Sequence, residues 1–328
     1  MHAVTEAPTH PNLAHVEAGR LASQAARRGL AAVLTGALLI AFSPILVRVS
    51  ELDPTATGFY RTFLALPLLA LWVISERRAG RVPKSPDGTV ERPPWGLITV
   101  AGLLFAADLA CWHWSLAYTT VANSTFITNL APVFVTLLAW LLFKERVTSI
   151  FLLGMVVAIG GAALMVKSGL SLSPLNLLGD ALALATSVFY AGYIVSVKGL
   201  RRRLSTARLM LYSSTVSTAA LLVLSLLKGE SLVPPSVRGF LILLTLAWVS
   251  QVLGQGLIAY GLAHVPAAFS SVSLLLQPPG AVLLAWLLLD ERINVWQGLG
   301  GFAVLVGIVV ARSGSWSRSA APVAPPGV

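Results

Sequence analysis

Apolar runs of about 20 residues, the length that crosses a bilayer as a helix, alternate along this chain with short polar connectors. Ten such runs can be drawn, at approximately 29–49, 55–75, 95–117, 120–143, 148–167, 176–197, 206–227, 239–263, 266–289 and 295–312. The third and fourth, and the eighth and ninth, are separated by almost nothing and are predicted to form tight helical hairpins. The pattern therefore predicts an all-α integral membrane protein with ten transmembrane helices.

Composition agrees with this pattern. The 328 residues are 56% hydrophobic and only 11% charged, against roughly 45–50% and about 25% in soluble domains. Mean hydropathy is +0.80. A water-soluble globule could not hide so much apolar surface, which excludes a cytosolic enzyme and a disordered chain alike. The single cysteine, Cys111, excludes a disulfide framework and a cysteine-rich metal site.

The formal charge of +10 is sorted by topology. With the N-terminus inside, 17 Lys and Arg fall in inside segments and 5 in outside segments, leaving Arg61 within a helix. By the positive-inside rule both termini are expected in the cytoplasm. Arg201-Arg202-Arg203 then lies at the cytoplasmic mouth of helices 6 and 7, as a topology determinant and anionic-lipid contact rather than a nucleic-acid patch. Residues 1–28 read as a cytoplasmic N-terminal tail rather than a signal peptide, and 314–328 as a disordered Ala/Pro/Ser-rich C-terminal tail.

The most specific signal is internal. Leu116–Arg146 reads LAYTTVANSTFITNLAPVFVTLLAWLLFKER, and Leu262–Arg292 reads LAHVPAAFSSVSLLLQPPGAVLLAWLLLDER. An offset of 146 aligns them without a gap: Pro132 falls on Pro278, Trp140 on Trp286, Glu145-Arg146 on Glu291-Arg292, Gly154 on Gly300 and Gly161 on Gly307. Each half, 29–167 and 168–313, then holds five helices. An odd number inverts the second copy, placing the Lys144-Glu145-Arg146 turn inside and the Asp290-Glu291-Arg292 turn outside. Secondary transporters are often built from inverted repeats with substrate near the midplane.

These two segments, each ending helix 4 or 9, resemble the twice-repeated signature of the drug/metabolite transporter superfamily, EamA family. Gly154–Gly161, Gly300–Gly307, Phe59-Tyr60-Arg61 and Gly179-Asp180 extend the likeness over about 30–312. The resemblance implies a ten-helix permease of a bacterial inner (plasma) membrane, often an exporter of amino acids or related metabolites. The polar, aromatic run from Asp108 to Trp114 departs from the family pattern.

Charges inside a bilayer cost roughly 2.5–3.5 kcal/mol each on insertion scales, so they need partners or a wet cavity. Arg61 and Asp108 are the two, about 9 and 14 Å from the outer surface at 1.5 Å per residue. They could act as a gate, a proton site or an anchor for a zwitterion, or as a structural pair. Pro132 and Pro278-Pro279 strip a helical partner from the carbonyls of Thr128, Leu274 and Leu275. Paired interruptions at matching places in two halves point to a binding site. Asn129 and Gln277 flank these kinks, Gln251 and Gln255 share a face of helix 8 with Tyr260, and Trp112 shares the Asp108 stripe with Ser115. Tyr190 and Tyr193 on helix 6 face either the cavity or the packing. Gly160-Gly161, Gly300-Gly301 and Gly307 read as close helix contacts. Trp114 reads as an aromatic-belt residue and Asp180 as a first-turn helix charge. His113, the lone intramembrane histidine, makes no metal site by itself.

These features predict a secondary transporter moving small metabolites by alternating access through a cavity lined by helices 3, 4, 8 and 9 with parts of 1, 2, 6 and 7. The alternatives are an integral-membrane enzyme or flippase acting on lipid or a lipid-linked substrate, and a channel or scaffold. The sequence contains no HExxH, GxSxG or ATP-binding motif. No enzymatic activity, metal, cofactor or nucleic-acid partner is expected. Asp108 is the only deep candidate to carry a proton, which leaves proton coupling and facilitated diffusion both open.

Overall fold

The computed structural model describes residues 11–80, 92–167, 173–289 and 292–316, and no strand occurs among them. The predicted Asp290-Glu291 turn and most of the predicted C-terminal tail lie outside the described residues. Among the described residues ten helices are long and apolar enough to cross a membrane: α1 (Arg20–Arg48), α2 (Pro54–Arg78), α3 (Trp95–Tyr118), α4 (Ala122–Phe143), α5 (Ser149–Val166), α6 (Leu177–Leu200), α7 (Thr206–Lys228), α8 (Val237–Gly261), α9 (Ala267–Leu284) and α10 (Val295–Ser315). Helix continues unbroken over Pro11–Ile40, so much of the stretch read as a tail joins α1 directly. At the other end helix persists to Trp316, just inside the stretch read as disordered.

The duplication is visible in which helices touch. α2 packs on α7, α4 on α9 and α5 on α10, each span meeting its own repeat-mate. The α3–α6 contact has its counterpart in α8–α1, and α4–α6 in α9–α1. The α5–α10 seam also shows the inversion. A Cβ added at Gly161 would lie 2.6 Å from the Gly300 carbonyl oxygen, and one at Gly307 would lie 2.7 Å from that of Gly154. Contacts of 161 with 300 and of 154 with 307 require antiparallel helices, and each pair is the image of the other under the 146-residue offset. Only glycine lets two backbones approach this closely, the way membrane helices associate without a hydrophobic drive. Not every glycine of the runs does this: a Cβ at Gly160 meets nothing within 4 Å, and one at Gly301 reaches only Pro279 at 3.8 Å.

Short side chains start several spans. Thr120, Thr148, Ser205 and Ser236 each accept a hydrogen bond from the backbone N–H three residues on. In each case the oxygen satisfies one of the orphan donors at a helix start.

Four of the ten spans are broken by proline. α4 is interrupted between Val121–Thr128 and Ala131–Phe143, and α9 between Ala267–Ser273 and Gln277–Leu289 through a 3-10 turn at Leu274–Leu276. Residues 129–130 and 275–276 are equivalent, so the two breaks fall at matching places, just before Pro132 and Pro278. Two further breaks were not foreseen. α1 stops at Ile40 and resumes at Ser43 with Pro44 in its first turn; α2 stops at Phe63 and resumes at Leu66 with Pro67. The Trp248 indole N–H donates to the Leu64 carbonyl at 3.3 Å, satisfying an acceptor at the α2 break. In α8 the backbone widens into a π-helix over Leu246–Gln255.

Candidate functional site

The breaks in α1, α4 and α9 surround a cavity of roughly 300 Å³. Five repeat-related pairs line it together: Thr125 with Ser271, Thr128 with Leu274, Asn129 with Leu275, Ala131 with Gln277, and Pro132 with Pro278. Arg61, Asp108, Trp112, Tyr190 and Gln255 complete much of its polar and aromatic wall. Seven of the eight residues expected to bind substrate therefore share one space. Gln251 does not line it, and Pro279 stands outside it. Tyr193 is buried against the Phe105 ring, 4.6 Å between centroids, so it packs rather than lines. α5 and α10 contribute Met165, Val166 and Gln297, which the sequence reading did not include, whereas α7 contributes no lining residue.

The two charges are held apart. Arg61 is 3% exposed and Asp108 7%. They lie near enough for their charges to interact, but the Arg61 bond is to a neutral partner: its Nε–H donates to Gln251 Oε1 at 3.4 Å. The guanidinium carbon sits 5.9 Å from the centre of the Phe105 ring. Among the described residues no hydrogen bond fixes the Asp108 carboxylate, whereas Glu51, Glu76, Glu145, Asp180 and Glu230 all accept from protein donors. Ser43, Tyr190 and Gln255 also line the cavity; the Ser43 hydroxyl has no hydrogen-bond partner among the described residues, and the Tyr190 hydroxyl lies within reach of the Gln255 side chain.

The cavity lining is more exposed toward one end than toward the other. Taking the face from which α1 starts as the near face, its near-side walls are sealed: Ser271, Leu274, Leu275 and Gln255 are buried. Toward the far face Pro44, Val166, Ala281, Val282 and Gln297 become half-exposed. Below the sealed end runs a polar lock. Lys144, left-handed at φ 56°, turns the chain so that Glu145 accepts from the first amides of α9, Ala267 N (3.1 Å) and Ala268 N (3.3 Å), a carboxylate at a helix N-terminus. Lys198 Nζ donates to the Val265 carbonyl at 2.6 Å, Arg201 Nε to that of Ala259 at 3.1 Å, and the Ser205 hydroxyl to Glu76 at 2.5 Å. Arg202 lies over the Phe143 ring. Arg201 and Arg202, read from sequence as surface charges, are thus part of the closure. Beside them, partial burial and the cations Arg201 and Lys198 hold His264 below its ordinary pKa.

The far face is tied on the α2–α3–α7 side. Glu230 accepts from Ala56 N at 2.7 Å, the Tyr60 hydroxyl donates to the Leu232 carbonyl at 2.5 Å, and the Trp114 indole donates to Thr55 Oγ1 at 3.0 Å. His113 Nδ1–H donates to the Pro54 carbonyl at 2.7 Å, a structural tie away from the cavity. Asp180 is more than a first-turn charge: it accepts from Thr119 (2.6 Å) and Asn123 (3.1 Å) and so pins the α3–α4 turn. The mouth is left to α1, α5, α9 and α10. Ser43, Thr125, Thr128, Thr186, Ser271 and Gln297 are lining residues the sequence reading missed. Only Pro44 offered a signal, as a third kink within a span.

Ten spans in two inverted sets of five, broken around one central cavity, have the build of a membrane transporter. The sequence profile of the EamA-like transporter family matches residues 27–167 and again 177–313. The chain belongs to that family. It is 26% identical to an uncharacterized transporter of Archaeoglobus fulgidus over 80% of this chain and 89% of that one. It is 27% identical to the pseudopaline exporter CntI of Pseudomonas aeruginosa, over 65% of this chain and 73% of that one. A probable terminal-alkyne amino-acid exporter of Streptantibioticus cattleyicolor is 26% identical over 60% and 66%. One solved crystal structure superposes with a TM-score of 0.72 over 88% of this chain and 96% of the other at 18% identity, a likeness of fold.

Proposed function

We propose that the protein is a secondary transporter that exports small amphoteric metabolites, amino acids or close relatives, by alternating access. The observation that carries this reading is the pair Arg61 and Asp108, set in one cavity wall and left unjoined. A substrate carrying both a carboxylate and an ammonium would complete both charges at once, and a molecule with only one would leave the other stranded in low dielectric. Trp112 offers a ring face to the remainder of such a ligand. Two named exporters among the relatives, one of an amino acid, support the direction and the class.

The mechanism follows from the asymmetry of the two ends. The near-face lock of Glu145, Lys198 and Arg201 releases while the α1–α5–α9–α10 mouth closes, with α4 and α9 bending at Pro132 and Pro278-Pro279. Lys and Arg sorting supports a cytoplasmic near face with both termini there, in the bacterial inner membrane, and on that reading this cavity is outward-facing. Residues 29–167 and 168–313 are the two moving repeats. Energy comes from a gradient of the substrate or of protons, Asp108 being the site where a proton could replace the substrate cation.

The test is counterflow in proteoliposomes containing the full chain, using a panel of L-amino acids. Saturable exchange that falls at least tenfold in both Arg61→Gln and Asp108→Asn is expected, with both variants inserted and folded. Wild-type exchange in either variant, or turnover of a labelled lipid in place of exchange, would overturn the reading.

A further inference from the structure

Gln251 was expected among the substrate ligands, and its position assigns it a different task. We infer that Gln251 is a positioning residue that fixes how Arg61 presents itself, and thereby selects end-on docking of a carboxylate; this rests on the reading of Arg61 as the anion anchor. Gln251 is 1% exposed and lies behind Arg61, outside the cavity wall. An arginine can take a carboxylate side-on, through Nε and one terminal nitrogen, or end-on through the two terminal nitrogens. Here Nε is spent on Gln251 Oε1 at 3.4 Å. Among the described residues the terminal nitrogens have no protein hydrogen bond and are not sealed, and Arg61 lines the cavity. Only the end-on fork is left for a ligand.

The amide of Gln251 is itself oriented. Its Nε2 donates to Ser214 Oγ at 3.3 Å, which leaves Oε1 as the atom facing Arg61. Were the amide reversed, two N–H donors would confront each other. Ser214 belongs to α7, which contributes nothing to the cavity lining, so α7 acts on the site through this relay. The π-helical stretch of α8 supplies the geometry, since Gln251 and Gln255 both lie in it, one serving Arg61 and the other the cavity. The Phe105 ring, its centre 5.9 Å from the guanidinium carbon, adds a cation–π contact. A neutral partner suits the role: it fixes the guanidinium without cancelling the charge, as a carboxylate would.

The experiment compares L-leucine with L-leucinamide, which share the ammonium and side chain and differ at the carboxylate. Counterflow KM values are measured for wild type, Gln251→Glu, Gln251→Leu, Ser214→Ala and Arg61→Gln, with folding checked by gel filtration in detergent. In Gln251→Glu the new carboxylate pairs with Arg61, and the ratio of the leucine KM to the leucinamide KM rises roughly tenfold or more, the scale of a charged hydrogen bond. Gln251→Leu and Ser214→Ala raise the same ratio by smaller factors, in that order. A residue needed only for packing would shift both KM values together and leave the ratio unchanged. An unchanged ratio in Gln251→Glu, or in Gln251→Leu should the first variant not fold, while Arg61→Gln loses the preference, overturns the inference alone. A preference that survives Arg61→Gln, or no preference in wild type, rejects the anchor reading and this inference with it.

Discussion

The α5–α10 pair and the α4–α9 pair arose from the same duplication and meet across the same pseudo-twofold axis, yet they carry opposite kinds of residue change. Along α5–α10 the contact positions kept their identity: Gly154 and Gly300, Gly161 and Gly307. Along α4–α9 the cavity positions diverged: Asn129 is matched by Leu275, Ala131 by Gln277, and Thr128 by Leu274. Backbone packing is a symmetric task, and either copy meets it with a missing side chain. An amphoteric ligand has no twofold axis, so a site that receives it must break the symmetry of its scaffold. The prolines sit between these extremes: Pro132 and Pro278 are both retained, since bending is asked of each half.

The sharpest way to break this comparison is to fill the seam. In Gly161→Val the new atoms meet the Gly300 carbonyl oxygen at 2.6 Å and the Val304 amide at 2.7 Å, both backbone, with nowhere to move. Overpacking of this kind costs about 3 kcal/mol. Thermal unfolding in detergent is expected to show a large loss of stability, and Gly307→Val should match it, being its image under the repeat. A stable Gly161→Val protein would mean that the seam is looser than its contacts imply.

Pro132→Ala probes the bending pair, since no second proline follows it in α4. The substitution returns an N–H to the Thr128 carbonyl and permits a straight helix, so stability holds or rises. Counterflow is expected to fall roughly tenfold, about 1.4 kcal/mol on the transport cycle. If transport rises with stability, the break is only a packing feature. A smaller effect is expected from Asn129→Leu, which makes position 129 match its repeat-mate Leu275. Losing one cavity amide should raise the substrate KM by roughly threefold to tenfold, in line with about 1 kcal/mol for one hydrogen bond. Thermal stability should be unchanged. An unchanged KM would mean the asymmetry at this pair is idle.

Much of this architecture is legible in the chain's residue order alone. Ten apolar runs, the register of Pro, Trp, Glu-Arg and Gly, and the two buried charges all come from counting residues. The longest identical stretch of the repeat is not in the site: Trp140 and Trp286 of the repeated LLAWLL runs are about half-exposed on the outer surface. Repetition there marks a shared membrane environment. What could not be read was local. Ser and Thr in a membrane helix bond their own preceding turn as readily as a ligand, as Thr128 does with the Ser124 carbonyl. Their presence in a run therefore does not place them in a wall. Gln251 and Gln255 share a face by spacing, and only the packing of α7 against α8 assigns them different partners. Glu145 reads as half of a repeated Glu-Arg signature, and its task at the α9 N-terminus depends on a left-handed Lys144 that no periodicity announces.

The finest test of the comparison uses two adjacent glycines. Gly160 and Gly161 are neighbours in α5 and read alike in the sequence, but they point to different surroundings. Gly160 is exposed on the outer surface, where an added Cβ touches nothing within 4 Å, whereas Gly161 is clasped by α10. In Gly160→Ala the cost of overpacking is absent, and what remains is the backbone freedom that glycine gives up in a helix, about 0.5–1 kcal/mol relative to alanine. The substitution should therefore leave the unfolding temperature in detergent unchanged or slightly raised, with counterflow at the wild-type rate. A clear loss of stability would place a partner against this surface, since nothing among the described residues occupies the space that the new methyl group takes.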